Sequence, residues 1–307
     1  MNAEQPERVY REETVHGDLV LKVRHGTRPY ASLVLEGTFL MDSDAAESER
    51  ELAWRGLACL EEIRRGAAPD GVGAPSGPGT SGGPAALGRS EASGGPGASG
   101  YARTAGPRTP VGGHRVLVAG LGLGITLKAL LESPAVAAVD VVEILAPVVA
   151  WNRGPLAILN GGALEDPRVQ VFEADLEAFL LAGNGKEPAG PAGPAQTWKE
   201  ASSNAGPGPA RAREPVYDLL LLDIDNGPTW LSLERNAWLY GKRGLERLRR
   251  HTAIPGVIAF WATEVSTEFE EVLEGVSWAT WRREGVPCHV EGERSLEYFL
   301  YLLARRS

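Results

Sequence analysis

The sequence has 307 residues, 43% of them hydrophobic, which is enough for one large globular domain or two modest ones to bury a core. Its 40 acidic and 31 basic side chains give a net charge of -9, which disfavours nucleic acid as a partner and suits a cationic substrate. No apolar run reaches the roughly 20 residues that span a bilayer, and the first residues are polar rather than signal-like. We therefore expect a cytoplasmic protein that binds no membrane. The two cysteines and five histidines have no metal-ligand spacing, so neither a disulfide framework nor a metal site is predicted.

Residues 1–65 predict a small β-rich domain that ends in a helix. Three runs with alternating, β-branched residues are parted by glycine-containing turns, a pattern typical of hairpin strands. After these runs the spacing of the hydrophobic residues changes from alternating to helical. The segment Asp42-Ser43-Asp44 offers a helix cap, and Ala53, Leu57 and Leu60 recur at helical spacing.

Two stretches at 66–113 and 183–214 are dense in Gly, Pro, Ser and Ala. Such sequences bury too little apolar surface to offset the entropy of ordering. We predict that both are disordered inserts, and that 114–307 forms the second domain around the second insert.

The apolar run VLVAGLGLG at 116–124 ends in Gly120, Gly122 and Gly124 and leads directly into a helical pattern. A buried strand that turns through glycines into a helix exposes backbone N–H groups to a ligand. These three glycines therefore predict a nucleotide-binding turn.

A second valine-rich strand is predicted at 136–144, and its acidic end is Glu143. An acid at the tip of this strand faces the crevice and accepts the hydroxyls of a ribose. The pattern for a dinucleotide requires glycine at position 125, where this chain has Ile125. A nucleoside without pyrophosphate, such as S-adenosylmethionine or a relative, fits better.

Further strands are predicted at 168–175, 215–225 and 256–263, with a long amphipathic helix around 236–250 and a hairpin at the C-terminus. Strands that alternate with helices indicate a mostly parallel sheet covered on both faces. The predicted fold class is therefore α/β, with a Rossmann-like class I methyltransferase sheet, a C-terminal antiparallel hairpin, and the small β-rich domain in front.

Acidic side chains follow two further strands of this sheet. Asp175 either accepts from the exocyclic amine of adenine or caps the next helix. Asp223, Asp225 and Asn226 leave the most hydrophobic strand before a Gly-Pro turn. Burial of Asp223 raises its pKa, which suits a general base, and an amine substrate must lose a proton before it attacks. The alternative is that Asp223 only caps this turn.

The stretches 116–144, 168–175 and 217–228 resemble, in order and spacing, the polyamine aminopropyltransferase (spermidine synthase) family. The small β-rich domain in front matches that family too. The resemblance implies aminopropyl transfer from decarboxylated S-adenosylmethionine to an amine, with release of 5'-methylthioadenosine and no metal. It also implies a homodimer.

Carried over from this family, Glu143 holds the ribose, Asp175 the adenine, and Asp223 deprotonates the amine. The family's second aspartate is replaced here by Asn226, so recognition of the substrate charge depends on whether Asp225 takes it over, and Tyr240 falls near a family tyrosine. The expected substrate-binding residues are Asp225, Asn226 and Tyr240. Leu40 and the 48–51 stretch replace a family glutamine and a Tyr-His-Glu group. The chain resembles a divergent branch, and two alternatives stay open: a methyltransferase that uses intact S-adenosylmethionine, and a non-catalytic nucleoside-binding homologue.

Overall fold

The computed structural model describes residues 6–66, 113–182, 216–288 and 296–306. Nearly all of the predicted inserts at 66–113 and 183–214 lies outside the described residues. No helix in the described part of the chain has the length and apolar character needed to cross a membrane.

The N-terminal region forms an antiparallel sheet in which consecutive strands pair, followed by one long helix. The third predicted run divides into two strands, because Glu36 and Gly37 both adopt positive φ and turn the chain. The elements are β1 (Arg8–Thr14), β2 (Gly17–Arg24), β3 (Tyr30–Leu35), β4 (Thr38–Asp42) and α1 (Ala46–Arg64).

The second region contains a seven-stranded sheet flanked by helices. Its strands are β5 (His114–Ala119), β6 (Val136–Glu143), β7 (Val169–Glu173), β8 (Tyr217–Leu222), β9 (Thr252–Ala262), β10 (Ala279–Cys288) and β11 (Leu296–Arg305). Its helices are α2 (Ile125–Leu131), α3 (Ala146–Arg153), α4 (Ala157–Asn160), α5 (Leu176–Ala182), α6 (Lys242–His251) and α7 (Thr267–Glu274).

The strand order is β10-β11-β9-β8-β5-β6-β7, so β8 lies at the centre, as its six buried residues require. Strands β5 to β9 are parallel, and β11 is antiparallel to β9 and to β10. The predicted mostly parallel sheet with a C-terminal antiparallel hairpin is confirmed. The antiparallel strand β11 lies inside the sheet, however, and β10 forms the edge.

The helix predicted around 236–250 is shorter than expected. The segment Glu234–Tyr240 is a 3-10 helix, and α6 begins only at Lys242. Gly241 separates the two with extended backbone, at φ -100° and ψ 168°. The 3-10 segment is held separately by hydrogen bonds to Asp225, and this competing interaction ends the helical pattern there.

One hydrophobic core joins the small sheet, α1 and one face of the large sheet. Leu21 and Leu33 of the small sheet belong to the same buried cluster as Leu60 of α1 and Leu221 of β8. Each buried leucine contributes about 2 kcal/mol. A Cβ at Gly56 would lie 2.9 Å from Cδ2 of Leu221, so this glycine lets α1 approach β8 closely. The start of α1 is thereby held near the carboxyl end of the central strand.

Candidate functional site

A cavity of about 430 Å³ lies at the carboxyl ends of β5, β6, β7 and β8. Residues of β3, β4, α1 and β11 close its other side. In open sheets of this kind, ligands bind where parallel strands end. The cavity therefore occupies the position predicted for a nucleoside, and both regions of the chain contribute to its wall.

The glycine turn forms the centre of the cavity wall. The Gly120 N–H donates to the Val142 carbonyl over 2.9 Å, and the Asp223 N–H donates to the Ala119 carbonyl over 2.8 Å. The turn is therefore fixed to both neighbouring strands. Gly120 and Gly122 line the cavity.

Gly124 lies behind the turn rather than at the cavity wall. It forms the N-cap of α2 at φ 79°. The Asn152 amide donates to the Gly122 carbonyl over 2.8 Å, and a Cβ at Gly124 would lie 2.4 Å from Oδ1 of this asparagine. Asn152 is fully buried and stabilises the turn, a role that the sequence analysis did not identify.

We predict that Gly120→Ala destabilises the protein and removes nucleoside binding. Gly120 has φ 88°, and an added Cβ would lie 2.1 Å from the Asp223 carbonyl oxygen, so strain and a backbone clash combine. Chemical denaturation should show that the free energy of unfolding falls by at least about 3 kcal/mol. Gly162→Ala is the matched control, because Gly162 also has positive φ but has no atom within 4 Å of its Cβ position. Gly162→Ala should lower the free energy of unfolding by about 1 kcal/mol. Equal losses in the two variants would contradict this account of the turn.

Glu143 is buried at the end of β6 and lines the cavity, next to the glycine turn. Its Oε2 accepts the Leu121 N–H at 2.9 Å, and its Oε1 accepts the Leu145 N–H at 2.8 Å. Burial raises the pKa of this carboxyl, and the backbone N–H groups oppose that rise. The predicted contact with a ribose stays a prediction, and the ribose hydroxyls would share the carboxylate with these backbone donors.

Asp175 lines the cavity and also caps a helix. Its Oδ1 accepts the Ala178 N–H at 2.9 Å at the start of α5, and its Oδ2 lies 3.0 Å from Nη2 of Arg235. Asp175 therefore caps α5, which was one of the two roles predicted for it. The predicted contact with adenine stays a prediction, and adenine would have to share the carboxylate with these two partners.

Asp223 follows the central strand β8 and faces the cavity. Its Oδ2 accepts a hydrogen bond from the Thr126 hydroxyl at 2.8 Å. Burial raises the pKa of Asp223 to about 6, and the bond from Thr126 lowers the pKa and limits the rise. A carboxylate with this pKa is ionised at neutral pH and is a stronger proton acceptor than an exposed aspartate.

Asp225 also lines the cavity, but its carboxylate oxygens accept hydrogen bonds from other residues of the chain. Its Oδ1 accepts from the Ser232 N–H at 2.7 Å and the Asn236 amide at 2.9 Å, and its Oδ2 accepts from the Tyr240 hydroxyl at 3.3 Å. Burial raises the pKa of Asp225, and these hydrogen bonds oppose the rise. Asp225 therefore fixes the segment 232–240.

Asn226 and Tyr240 occupy different positions relative to the cavity. Asn226 lines it, and its carbonyl accepts from the Thr263 N–H and hydroxyl. Tyr240 does not belong to the described lining residues, and its hydroxyl donates to Asp225 behind the wall. This placement does not support a direct contact between Tyr240 and a substrate. Tyr240 supports the wall through Asp225.

Glu49 lines the cavity, and the sequence assigned it no role beyond its place in the 48–51 stretch. It lies in the first turns of α1, is 5% exposed, and lines the cavity. The signal is present in the sequence, because Glu49 shares helical spacing with Ala53, Gly56 and Leu60 on the buried face of α1. A carboxylate on an apolar helix face requires a partner or a function.

The tryptophans divide between cavity and core. Trp230 is half exposed at the cavity wall, whereas Trp151 is buried in the core and Trp238 packs beneath Arg247. Trp261 also lines the cavity, and its ring lies 5.1 Å from that of Tyr298. Aromatic faces near a cation contribute about 0.5–2 kcal/mol to its binding.

Acidic side chains dominate the polar part of the wall. No lysine, arginine or histidine belongs to the cavity lining in the described parts of the chain. Among these residues there is also no group of three or more potential ligands arranged to hold a metal ion. The acidic wall favours a cationic ligand. Its seven carboxylates are Asp42, Asp44, Glu49, Glu143, Asp175, Asp223 and Asp225.

No protein-family model matches the chain, and no curated protein matches it in sequence. Spermidine synthase from Thermotoga maritima superposes with a TM-score of 0.54 at 12% identity, over 97% of this chain and 72% of that one. A spermidine synthase in complex with the transition-state analogue AdoDATO gives a TM-score of 0.55 at 12% identity, over 97% and 73%. The fold is that of spermidine synthase.

Within the spermidine-synthase fold, one part of this cavity has its own set of residues. Asn226 stands where the resemblance implies an aspartate, and Asp225 is engaged by the 232–240 segment. Asp42 and Glu49 instead bring carboxylates from the N-terminal region. The fold is therefore shared, while part of the charge of this cavity comes from different positions.

Proposed function

We propose that this protein is an aminopropyltransferase that moves an aminopropyl group from decarboxylated S-adenosylmethionine to an amine acceptor and releases 5'-methylthioadenosine. The observation that carries the proposal is a cavity wall with seven carboxylates and no basic side chain among its described residues. Both proposed substrates are cations, a sulfonium and an ammonium, and an acidic enclosed site favours both.

The donor half is formed by the ends of β5, β6 and β7. Gly120 and Gly122 line this half, and Glu143 at the end of β6 accepts from the ribose hydroxyls. Asp175 lies at the next strand end, where the adenine amine would reach it. In this arrangement the sulfonium lies towards Asp223, which lines the same cavity.

The acceptor enters as an ammonium, since alkylamines titrate near roughly 10. Asp223 takes one N–H proton, which leaves a lone pair on nitrogen. The lone pair forms a bond to the propyl carbon next to sulfur, while the C–S bond breaks and its electron pair stays on sulfur. Sulfur thereby loses its positive charge and leaves as methylthioadenosine. The base must be ionised and must lie within hydrogen-bonding distance of the amine.

We predict that kcat/KM rises with pH through about 6, where Asp223 becomes ionised. Below this value the rate should fall about tenfold per pH unit, because only the ionised carboxylate accepts the proton. The Thr126 hydrogen bond lowers the pKa of Asp223, so Thr126→Val should move the acid limb to higher pH. The measurement is the pH profile of kcat/KM for both proteins. An acid limb near pH 4, or one that the valine leaves in place, would contradict this assignment.

The transfer itself is tested by incubating the protein with decarboxylated S-adenosylmethionine and a panel of monoamines and diamines. Liquid chromatography with mass detection follows methylthioadenosine and the aminopropylated amine together. We expect both products in equal amounts, and neither with a heat-unfolded control. Tight methylthioadenosine binding without product from any amine would favour the non-catalytic homologue. Methyl transfer from intact S-adenosylmethionine would favour the methyltransferase.

A further inference from the structure

Glu49 of α1 and Asp223 at the end of β8 line the same cavity, and both residues contact Thr126. The Thr126 hydroxyl lies 2.8 Å from Oδ2 of Asp223 and 3.3 Å from the backbone oxygen of Glu49. Glu49 is 5% exposed and lines the cavity, and no described residue acts on the pKa of its carboxyl through a hydrogen bond. A buried carboxylate without a donor from the chain is oriented for a donor on a ligand.

The surroundings of Glu49 are acidic. Burial raises the pKa of Glu49 well above its ordinary value, the charges of Asp223 and Asp42 raise it further, and Arg50 opposes them. Two neighbouring buried carboxylates cannot both ionise easily, so they titrate as a pair. The other charged and titratable groups that face the pair are Asp42 on β4, Arg50 on α1, Tyr298 on β11 and Tyr240 in the 3-10 segment.

We propose that Glu49 is the second acid of the acceptor site, and that Glu49 and Asp223 together hold the reacting ammonium group of the acceptor. This inference rests on the proposed function only in that the acceptor is an amine. An ammonium carries three N–H donors, so it bonds to both carboxylates at once. Glu49 thereby supplies a negative charge at the acceptor site, where Asn226 is neutral. Asp225 does not supply it, because its carboxylate accepts hydrogen bonds from the 232–240 segment.

The pairing gives acceptor binding a proton signature. Without a cation, the pair retains one proton between two carboxylates. An arriving ammonium stabilises both ionised forms, so the retained proton leaves to solvent when the amine binds. The balance is one ammonium bound for about one proton released near neutral pH. After this exchange Asp223 is ionised and is the base for the transfer step.

Isothermal titration calorimetry tests the pair without requiring turnover. The full-length protein, saturated with methylthioadenosine, is titrated with n-butylamine, 1,4-diaminobutane and 1,5-diaminopentane in buffers of different ionisation enthalpy. For the best-binding amine we expect release of about one proton. Glu49→Gln should weaken binding about tenfold or more and remove the proton release. Glu47→Gln is the matched control, because Glu47 is exposed on the same helix and does not line the cavity, and it should behave as wild type.

Two results would overturn the inference. One is a Glu49→Gln protein that binds amine and releases protons as the wild type does. The other is the absence of amine binding to the wild-type protein with all three probes. Failure of the proposed function looks different: proton-linked amine binding that depends on Glu49, with no methylthioadenosine formed from any amine. That last result would reject aminopropyl transfer and support the ammonium site.

Discussion

Replacement of Asp223 by Asn should lower kcat by about 10²- to 10⁴-fold, the range typical for loss of a general base. The asparagine side chain has nearly the same shape but does not accept the amine proton. Asp223 follows β8, and the ribose contact is assigned to Glu143 at the end of β6, so methylthioadenosine affinity should change little. Steady-state product formation and calorimetric titration of methylthioadenosine measure the two effects separately.

The control for this variant is Asp18→Asn on β2, because Asp18 is half exposed and lies outside the cavity lining. It should retain wild-type kcat and affinity. If Asp223→Asn lost turnover and nucleoside binding together, Asp223 would be a structural residue that positions the glycine turn. An Asp223→Asn protein with full activity would remove it from the mechanism.

Replacement of Glu143 by Gln should raise the Kd of methylthioadenosine by about 10²-fold. The carboxylate accepts two backbone N–H groups and, in our account, two ribose hydroxyls. Glutamine has one acceptor oxygen, and its amide group would face an N–H donor of the turn. Calorimetric titration gives the affinity, and circular dichroism on the same samples verifies that the fold is retained.

Glu173→Gln is the matched control for the ribose contact. Glu173 is the partner of Glu143 in the β6–β7 register but is exposed and does not line the cavity. Its replacement should leave the Kd unchanged. A Glu143→Gln protein with wild-type affinity would mean that the ribose lies elsewhere and that this carboxylate only braces the glycine turn.

The arrangement of the large sheet was predictable because its signals are local. The run before Gly120, the valine-rich strand that ends at Glu143 and the apolar run before Asp223 each specify a buried parallel strand. Parallel strands end at one edge, so the acids that follow them were expected to meet there. The cavity lining includes Glu143, Asp175 and Asp223 together.

What the sequence did not reveal depends on contacts between distant segments. Glu49 and Asp223 line one cavity because α1 packs against β8, where Gly56 allows a close approach, and helical spacing alone does not indicate which strand a helix covers. Asp225 and Tyr240 were predicted to bind substrate, but the fold turns the 232–240 segment back onto Asp225. The same fold-back divides the helix predicted around 236–250.

The two regions of the chain have complementary roles in this account. The large sheet supplies the glycine turn, the ribose acid and the base, and the small sheet with α1 supplies Asp42 and Glu49. Both sets of charges face one cavity, so a cationic donor and a cationic acceptor are stabilised by the same field. The negative charges of the wall thereby offset the repulsion between the two positively charged substrates.

The most direct test of the central claim is calorimetric titration of the protein with decarboxylated and with intact S-adenosylmethionine under the same conditions. The two donors differ by one carboxylate, which would enter a cavity whose described lining has seven acids and no basic side chain. At a separation of about 4 Å, one such like-charge contact costs roughly 1 to 4 kcal/mol in surroundings between water and protein. We predict that the decarboxylated donor binds at least about tenfold more tightly. Equal affinities, or tighter binding of the intact donor, would contradict the proposed aminopropyl transfer.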